Sequence, residues 1–366
     1  MWNLEELSEV PRTREVFSRG SIKGIFYEGL PFQGKNTEIF AYLGIPERKE
    51  KVPSMVLVHG GGGTAFSEWV EIWNRRGYAA ISMDLCGCIP EKENGKWKKH
   101  SKGGPSGWGE SFSQIDWEIY DQWPFHAIAD IILANTLLRS FPEIDKNKIG
   151  ITGISWGGYL TCIASGVDNR FKFAIPVYGC GFLMETKFFE NLNSMEKEKR
   201  EKWLKLWDPS NYLVNTFIPM LWINGTNDTA YSLSAFQKSC NLTKGENTLS
   251  VRVRMPHSHQ DGWQPEEIYV FADSLCKNGV PLAKIKNHGR KRKYAWIEFE
   301  SKTGIIKAEL NFTKDEGDWR NRNWETVELE VKENRIETEI PSGAKSYFFN
   351  IIDERNLLVS SPYIEI

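Results

Sequence analysis

No stretch of this 366-residue chain approaches the roughly 18 to 20 consecutive apolar residues that a membrane-spanning helix needs. The start, Met1-Trp2-Asn3-Leu4-Glu5-Glu6, is acidic and unlike a signal peptide. The expectation is a cytoplasmic protein with no membrane partner, secretion after removal of a leader being the alternative. Positive charge in excess is also missing. A formal net charge of -2 leaves nothing with which to neutralise phosphates, so nucleic acid is not the expected partner. Cysteine is sparse: six residues lack the density of a disulfide scaffold, and Cys86-Gly87-Cys88 has no second pair at zinc-finger spacing, so free thiols are expected. Internal repeats are absent. Tryptophan, by contrast, is abundant at 15 residues, as core bulk for most of them and as flat sugar-stacking walls for a few.

Length allows one large domain or two. Ile22 to Tyr27 and Glu38 to Leu43 read as antiparallel lead-in strands. Ser54-Met55-Val56-Leu57-Val58-His59 is then an unbroken apolar run, as in a parallel strand covered on both faces, and it enters Gly60-Gly61-Gly62-Gly63. Strands around Tyr78 to Met83, Lys148 to Thr152, Ala174 to Tyr178, Met220 to Asn224 and Leu249 to Met255 alternate with helical stretches, including Ala127 to Leu138 and Pro265 to Cys276. This pattern implies an α/β fold with a doubly wound, mostly parallel sheet over residues 1 to 280. Leu85 to Trp123 has no clear period and is a candidate active-site wall. Asn193 to Trp207 reads as an inserted helix, with Asn193 as its cap and Met195, Trp203, Leu206 and Trp207 on one face, in a possible lid over about 182 to 210. From 281 to 366 the runs are short, alternating and separated by turns, the pattern of a small all-β sandwich domain.

The chemistry centres on Gly153-Ile154-Ser155-Trp156-Gly157-Gly158, directly after a strand and directly before a helix. That is the context of a nucleophile elbow, in which small neighbours permit a strained turn that lifts the serine hydroxyl above the sheet. A serine needs a base within reach and a carboxylate to orient that base. Asp228, in the loop after Met220 to Asn224, is the expected acid, with Asp208 as the weaker alternative. Two histidines leave the end of the last sheet strand, and His259, farther from the strand and freer to reach back, is expected to be the base. His257 is then a rim or substrate contact. His59 is expected to support the glycine loop by hydrogen bonds.

Acyl transfer also needs two N-H groups aimed at the developing oxyanion. Trp156 supplies one, and Gly61, then Gly62, the second. Phosphate binding by these glycines is unsupported, since no Gly-Lys-Ser/Thr and no G-x-G-x-x-G spacing follows. His257 and His259, an i, i+2 pair, do not form a metal-binding H-E-x-x-H spacing, so neither a metal nor a cofactor is expected.

His59-Gly60-Gly61-Gly62, Gly153 to Gly158, Asp228 and His259 together resemble the α/β-hydrolase superfamily, nearest to its acetyl xylan esterase and dienelactone-hydrolase-like branch, over roughly residues 20 to 280. The resemblance implies hydrolysis of carboxylic esters through an acyl-enzyme. One departure is Trp156, where many relatives carry Gln, Met or Leu. The expectation is an esterase for short acyl, especially acetyl, groups on a carbohydrate or other small molecule, with Trp108, Trp123, Trp156 and Trp263 as walls facing the substrate. A serine peptidase of prolyl-oligopeptidase type and a non-catalytic binding homologue are the competing readings.

Overall fold

A strand made only of apolar residues needs cover on both faces, and Val52–Val58 has it: every residue in it is buried. In the computed structural model, which describes residues 1–366, the strands in chain order are β1 (Thr13–Arg19), β2 (Ile22–Glu28), β3 (Glu38–Gly44), β4 (Val52–Val58), β5 (Ala79–Met83), the hairpin β6 (Cys88–Glu93) and β7 (Lys96–Lys99), β8 (Ile144–Ile154), β9 (Phe173–Val177), β10 (Met220–Gly225) and β11 (Asn247–Arg252). The helices between and after them are α1 (Ser67–Arg75), α2 (Trp123–Ser140), α3 (Trp156–Val167), α4 (Phe189–Asn193), α5 (Lys197–Trp207), α6 (Ser210–Leu213), α7 (Leu233–Cys240), α8 (His259–Trp263) and α9 (Glu266–Cys276). No helix is long and apolar enough to cross a membrane. All six cysteines are free and buried.

Side chains alternate between the faces of β4, and two cores result. Val56 and Val58 join the apolar faces of α2, α3 and α7, while Met55 and Leu57 join Trp69, Val70 and Trp73 of α1 and Ile268, Tyr269 and Phe271 of α9. Strands β5, β4, β8, β9, β10 and β11 are mutually parallel in that order, and β1, β2 and β3 extend the sheet antiparallel beyond β5. The parallel arrangement follows from the helical crossovers and sends the carboxyl ends of β4, β8, β10 and β11 to one edge.

The region after residue 280 contains β12 (Lys284–Lys291), β13 (Tyr294–Glu300), β14 (Ile305–Thr313), β15 (Trp324–Leu329), β16 (Arg335–Glu339), β17 (Ser346–Asp353), β18 (Leu358–Ser360) and β19 (Ile364–Glu365). They form two layers. One is the separate sheet β12-β13-β16. The other, β18-β17-β14-β15 with β19 beside β17, continues the main sheet, because β18 pairs antiparallel with β11 at Leu249 and Ser360. Ala295, Ile297, Phe299 and Ile336 from one layer share a core with Ala308, Leu310, Phe312, Phe349 and Ile351 from the other. A fourteen-stranded sheet therefore runs across the 280/281 position at which composition changes.

The inserted helix starts later than its sequence pattern implies. Asn193 ends α4 and Glu196 precedes α5; the Asn193 carbonyl oxygen of the side chain accepts from Arg200 instead of capping. Trp203 and Trp207 are fully buried. Trp203 packs on Phe112 at 4.7 Å, and the Trp207 indole N-H donates to Gln122 at 2.7 Å. These anchors hold α5 down on the irregular segment before α2.

Candidate active site

Ser155 sits between β8 and α3 with φ 59° and ψ -117°, a backbone region costly for any residue with a side chain. The surroundings enforce it. A Cβ on Gly157 would lie 2.0 Å from the Val58 carbonyl oxygen, so only glycine lets α3 start this close to β4. The Ser155 Oγ is 2.8 Å from His257 Nε2, and His257 Nδ1 is 2.5 Å from Asp228 Oδ2. A carboxylate only accepts, so Nδ1 carries the proton and Nε2 is left to accept from the serine hydroxyl. Asp228 is buried, and its other carboxylate oxygen accepts the N-H groups of Ala230 and Tyr231 at 2.8 and 2.7 Å. Tyr178 packs its ring 4.5 Å from His257 and donates its hydroxyl to the Ser258 carbonyl at 2.7 Å. Nothing in the sequence pattern marks Tyr178 for this role.

The expectation for His259 is corrected here: His257 occupies the position between serine and acid. Ser258 caps α8, accepting from the Asp261 N-H at 3.0 Å, so His259 is fixed in the first helical turn while His257 remains in the loop. Ser258 followed three residues later by Asp261 is a capping pattern, and it is the sequence signal that fixes His259 in a helix. His259 has a different contact. Its Nε2 accepts from the Gly60 N-H at 2.9 Å, and its ring lies on Phe66 at 4.8 Å. His59 donates from Nδ1 to the Gly60 carbonyl at 3.0 Å and accepts the Leu85 N-H at 3.1 Å. Burial pushes both imidazoles down to about 4, so both are neutral. The peptide groups on either side of Gly60 are thus each held by one imidazole. The Gly60 carbonyl belongs to the same peptide as the Gly61 N-H, so His59 also sets the direction in which Gly61 donates. Neither Gly61 nor Gly62 donates its N-H within the protein, and Trp156, first in α3, has no intrahelical acceptor.

The prolyl oligopeptidase family model matches residues 100–275, just under half of the chain. The Bacillus subtilis (strain 168) protein named "uncharacterized peptidase YuxL" is 24% identical over 253 residues, which is 66% of this chain and 34% of that one. The chain therefore spans about a third of the length of that relative. Among solved structures, acetyl xylan esterase 1 from Thermoanaerobacterium sp. JW/SL YS485 superposes with a TM-score of 0.58 at 16% identity, covering 74% of this chain and 90% of that one. The acetyl xylan esterase from Paenibacillus sp. R4 gives 0.57 at 19%, covering 74% and 92%. Pyrococcus horikoshii acylaminoacyl peptidase gives 0.52 at 21%, covering 73% and 42%. The chain has the α/β-hydrolase fold. Esterases and peptidases both stand among the proteins this chain is similar to, so the likeness supports a serine hydrolase without dividing the two.

The expected substrate walls separate. Trp123 is fully buried in α2, with its indole N-H donating to the Leu85 carbonyl at 2.7 Å, so it faces core and not substrate. That is a correction, and its physical reason is that the apolar helix begins at Trp123 and not at Ala127. Trp263 is spent against Phe66 and Trp69 at 5.5 and 5.4 Å. Trp108 is the one that borders the glycine loop: it is half-buried, has φ 59°, stands edge-on to His59 at 5.1 Å, and would be 4.0 Å from a Cβ on Gly61. Trp156 is 5% exposed, with its ring enclosed by Phe188 at 4.6 Å and Phe112 at 6.0 Å. Asp208, the alternative acid, instead accepts the N-H groups of Phe182, Leu183 and Ser210, bracing the loop that leads into α6.

Proposed function

We propose that this α/β-hydrolase is a serine hydrolase that cleaves carboxylic esters through an acyl-enzyme, with short acyl groups on a carbohydrate alcohol as its substrate class. The observation that carries the reading is the hydrogen-bonded series Ser155, His257, Asp228 on a strained turn. Ser155 Oγ attacks the ester carbonyl carbon as His257 Nε2 takes its proton, and Asp228 holds the imidazole in the required tautomer and stabilises its charged form. The N-H groups of Trp156 and Gly61, with Gly62 as the neighbouring alternative, receive the oxyanion. His257 then returns the proton to the departing alkoxide, and the same groups direct water onto the acyl-enzyme. The enclosure of Trp156 by Phe112 and Phe188 favours a small acyl group, and the half-buried face of Trp108 offers an apolar surface for a sugar ring.

A peptidase is the second reading, favoured by the match to the prolyl oligopeptidase family and by the relative's name. It uses the same residues but must expel an amine. Turnover of acyl esters from acetyl to octanoyl, set against aminoacyl amides, separates the two: kcat/KM should be highest for acetyl, and a steady climb to octanoyl or a preference for amides would overturn the ester reading. Ser155→Ala should abolish turnover and fluorophosphonate labelling while leaving the melting curve intact. An unlabelled wild-type protein would instead indicate a binding homologue.

A further inference from the structure

The loop between β14 and β15 reaches from the C-terminal β-region to the back of the acid. The Trp319 indole N-H donates to the backbone carbonyl of Asp228 at 2.7 Å. The adjacent Asn227 side-chain amide lies within donating distance of the carbonyls of Trp319, Arg320 and Arg322, at 3.2, 3.2 and 2.8 Å. Asn227 Oδ1 in turn accepts from Thr226 Oγ1 at 2.7 Å, and that hydroxyl accepts the Arg254 N-H at 2.9 Å. The Arg254 guanidinium closes the circuit on Asn323 Oδ1 at 2.6 Å. Arg254, at φ 54°, lies three residues before His257. The loop that makes these contacts is itself tied: Arg322 donates to the Gly317 carbonyl, and Asp315 accepts the Asn323 N-H.

Asp228 therefore has both carboxylate oxygens and its carbonyl oxygen committed, and the carbonyl is held from a part of the chain that supplies no reacting group. Proton transfer between Ser155 and His257 depends on tenths of an ångström in the orientation of the imidazole, and that orientation is set by Asp228. We propose that Trp319 is a positioning residue for the Asp228–His257 pair, so that the C-terminal β-region tunes the reactivity of the site through this one loop. The inference rests on the serine hydrolase reading above.

The test is a double-mutant cycle on the full chain, with p-nitrophenyl acetate turnover and the rate of fluorophosphonate labelling as readouts. Trp319→Phe keeps an aromatic ring and removes the N-H donor together with the second ring of the indole. It should lower kcat by about three- to ten-fold, the size of one neutral hydrogen bond, with KM within about two-fold. In an Asp228→Asn background the same change should alter the rate by less than about two-fold, because the group it acts through is already impaired. An unchanged kcat, a change confined to KM, or an equal factor in both backgrounds overturns the proposal. If Trp319→Phe lacks a cooperative melt, Asn227→Ala is read through the same cycle with the same criteria. A wild-type protein that neither turns over the ester nor labels at Ser155 defeats the hydrolase reading and this inference with it, whereas an active wild type with an additive cycle defeats this inference alone.

Discussion

The strands that lead into Ser155, Asp228 and His257 and several of the strands after residue 280 belong to one sheet, yet many of them bury differently. β4, β9 and β10 are buried at every residue, whereas β13 alternates exposed or half-exposed residues with buried ones, and β15 is mostly exposed. Helices on both faces of the parallel strands leave only strand ends open, and polar groups able to react collect there. Gly60 follows β4, Ser155 follows β8, Asp228 follows β10 and His257 follows β11. β13 and β15 have one face or more toward solvent, while β17, buried at all but one residue, is covered on both faces; these strands contribute through the pairing of β18 with β11 and through the Trp319 loop. Under the proposed function, the site is thus divided between groups that react and groups that hold.

Removing the second set of strands is the strongest way to break the comparison. A fragment of residues 1–280 loses the Ser360 hydroxyl that accepts the Val251 N-H at 2.8 Å, the Asn350 amide on the Val251 carbonyl at 3.2 Å, and the Leu358 N-H on buried Glu267 at 2.6 Å. It also leaves β11 as an open edge and uncovers the shared core. The fragment is expected to be insoluble or to lack a cooperative melt; a soluble, cooperatively melting fragment that labels at Ser155 would establish the first 280 residues as self-sufficient.

Within the first set, the two histidines sharpen the division. His257→Ala should lower kcat by roughly 10³ to 10⁶, the scale for losing a base of this type. His259→Ala should cost about ten-fold, through loss of the acceptor for Gly60. Steady-state kinetics on an acetyl ester would refute the assignment if the order were reversed.

The smallest expected effect is a pH dependence. Burial holds His259 at about 4, below its ordinary 6.5, with the neighbouring His59 and His257 acting in the same direction. The unfolded chain therefore takes up the proton first as pH falls. The stability that the neutral ring contributes is intact above about pH 6.5 and is lost progressively down to about 4. His259→Gln keeps an acceptor for the Gly60 N-H but does not titrate, so the difference in Tm between wild type and variant should move in the variant's favour across that window. A constant difference in thermal melts from pH 7 to 4 would exclude the effect. His59 and His257 are unchanged in both proteins, which keeps the comparison on His259.

The parallel sheet was legible because a doubly covered strand has to be apolar throughout, and Ser155 and Asp228 were legible because they follow such strands directly. The glycine loop was legible for the same reason. His257 is not legible in the same way, because distance along the chain favours His259 while Ser258 caps a helix that immobilises His259. The burial of Trp123 is not legible either, because periodicity places a helix better than it places the first turn.

By itself, then, the sequence determined the order of strands and helices, the elbow and the acid, since each depends on residues adjacent along the chain: apolar runs, glycines around a serine, a carboxylate after a strand. Only the tertiary structure decided which histidine lies 2.8 Å from Ser155, that His259 holds the Gly60 N-H, and that Trp319 supports Asp228 from 91 residues away. Those are hydrogen bonds between groups far apart in the chain, and their geometry exists only once the sheet has brought the loops to a common edge.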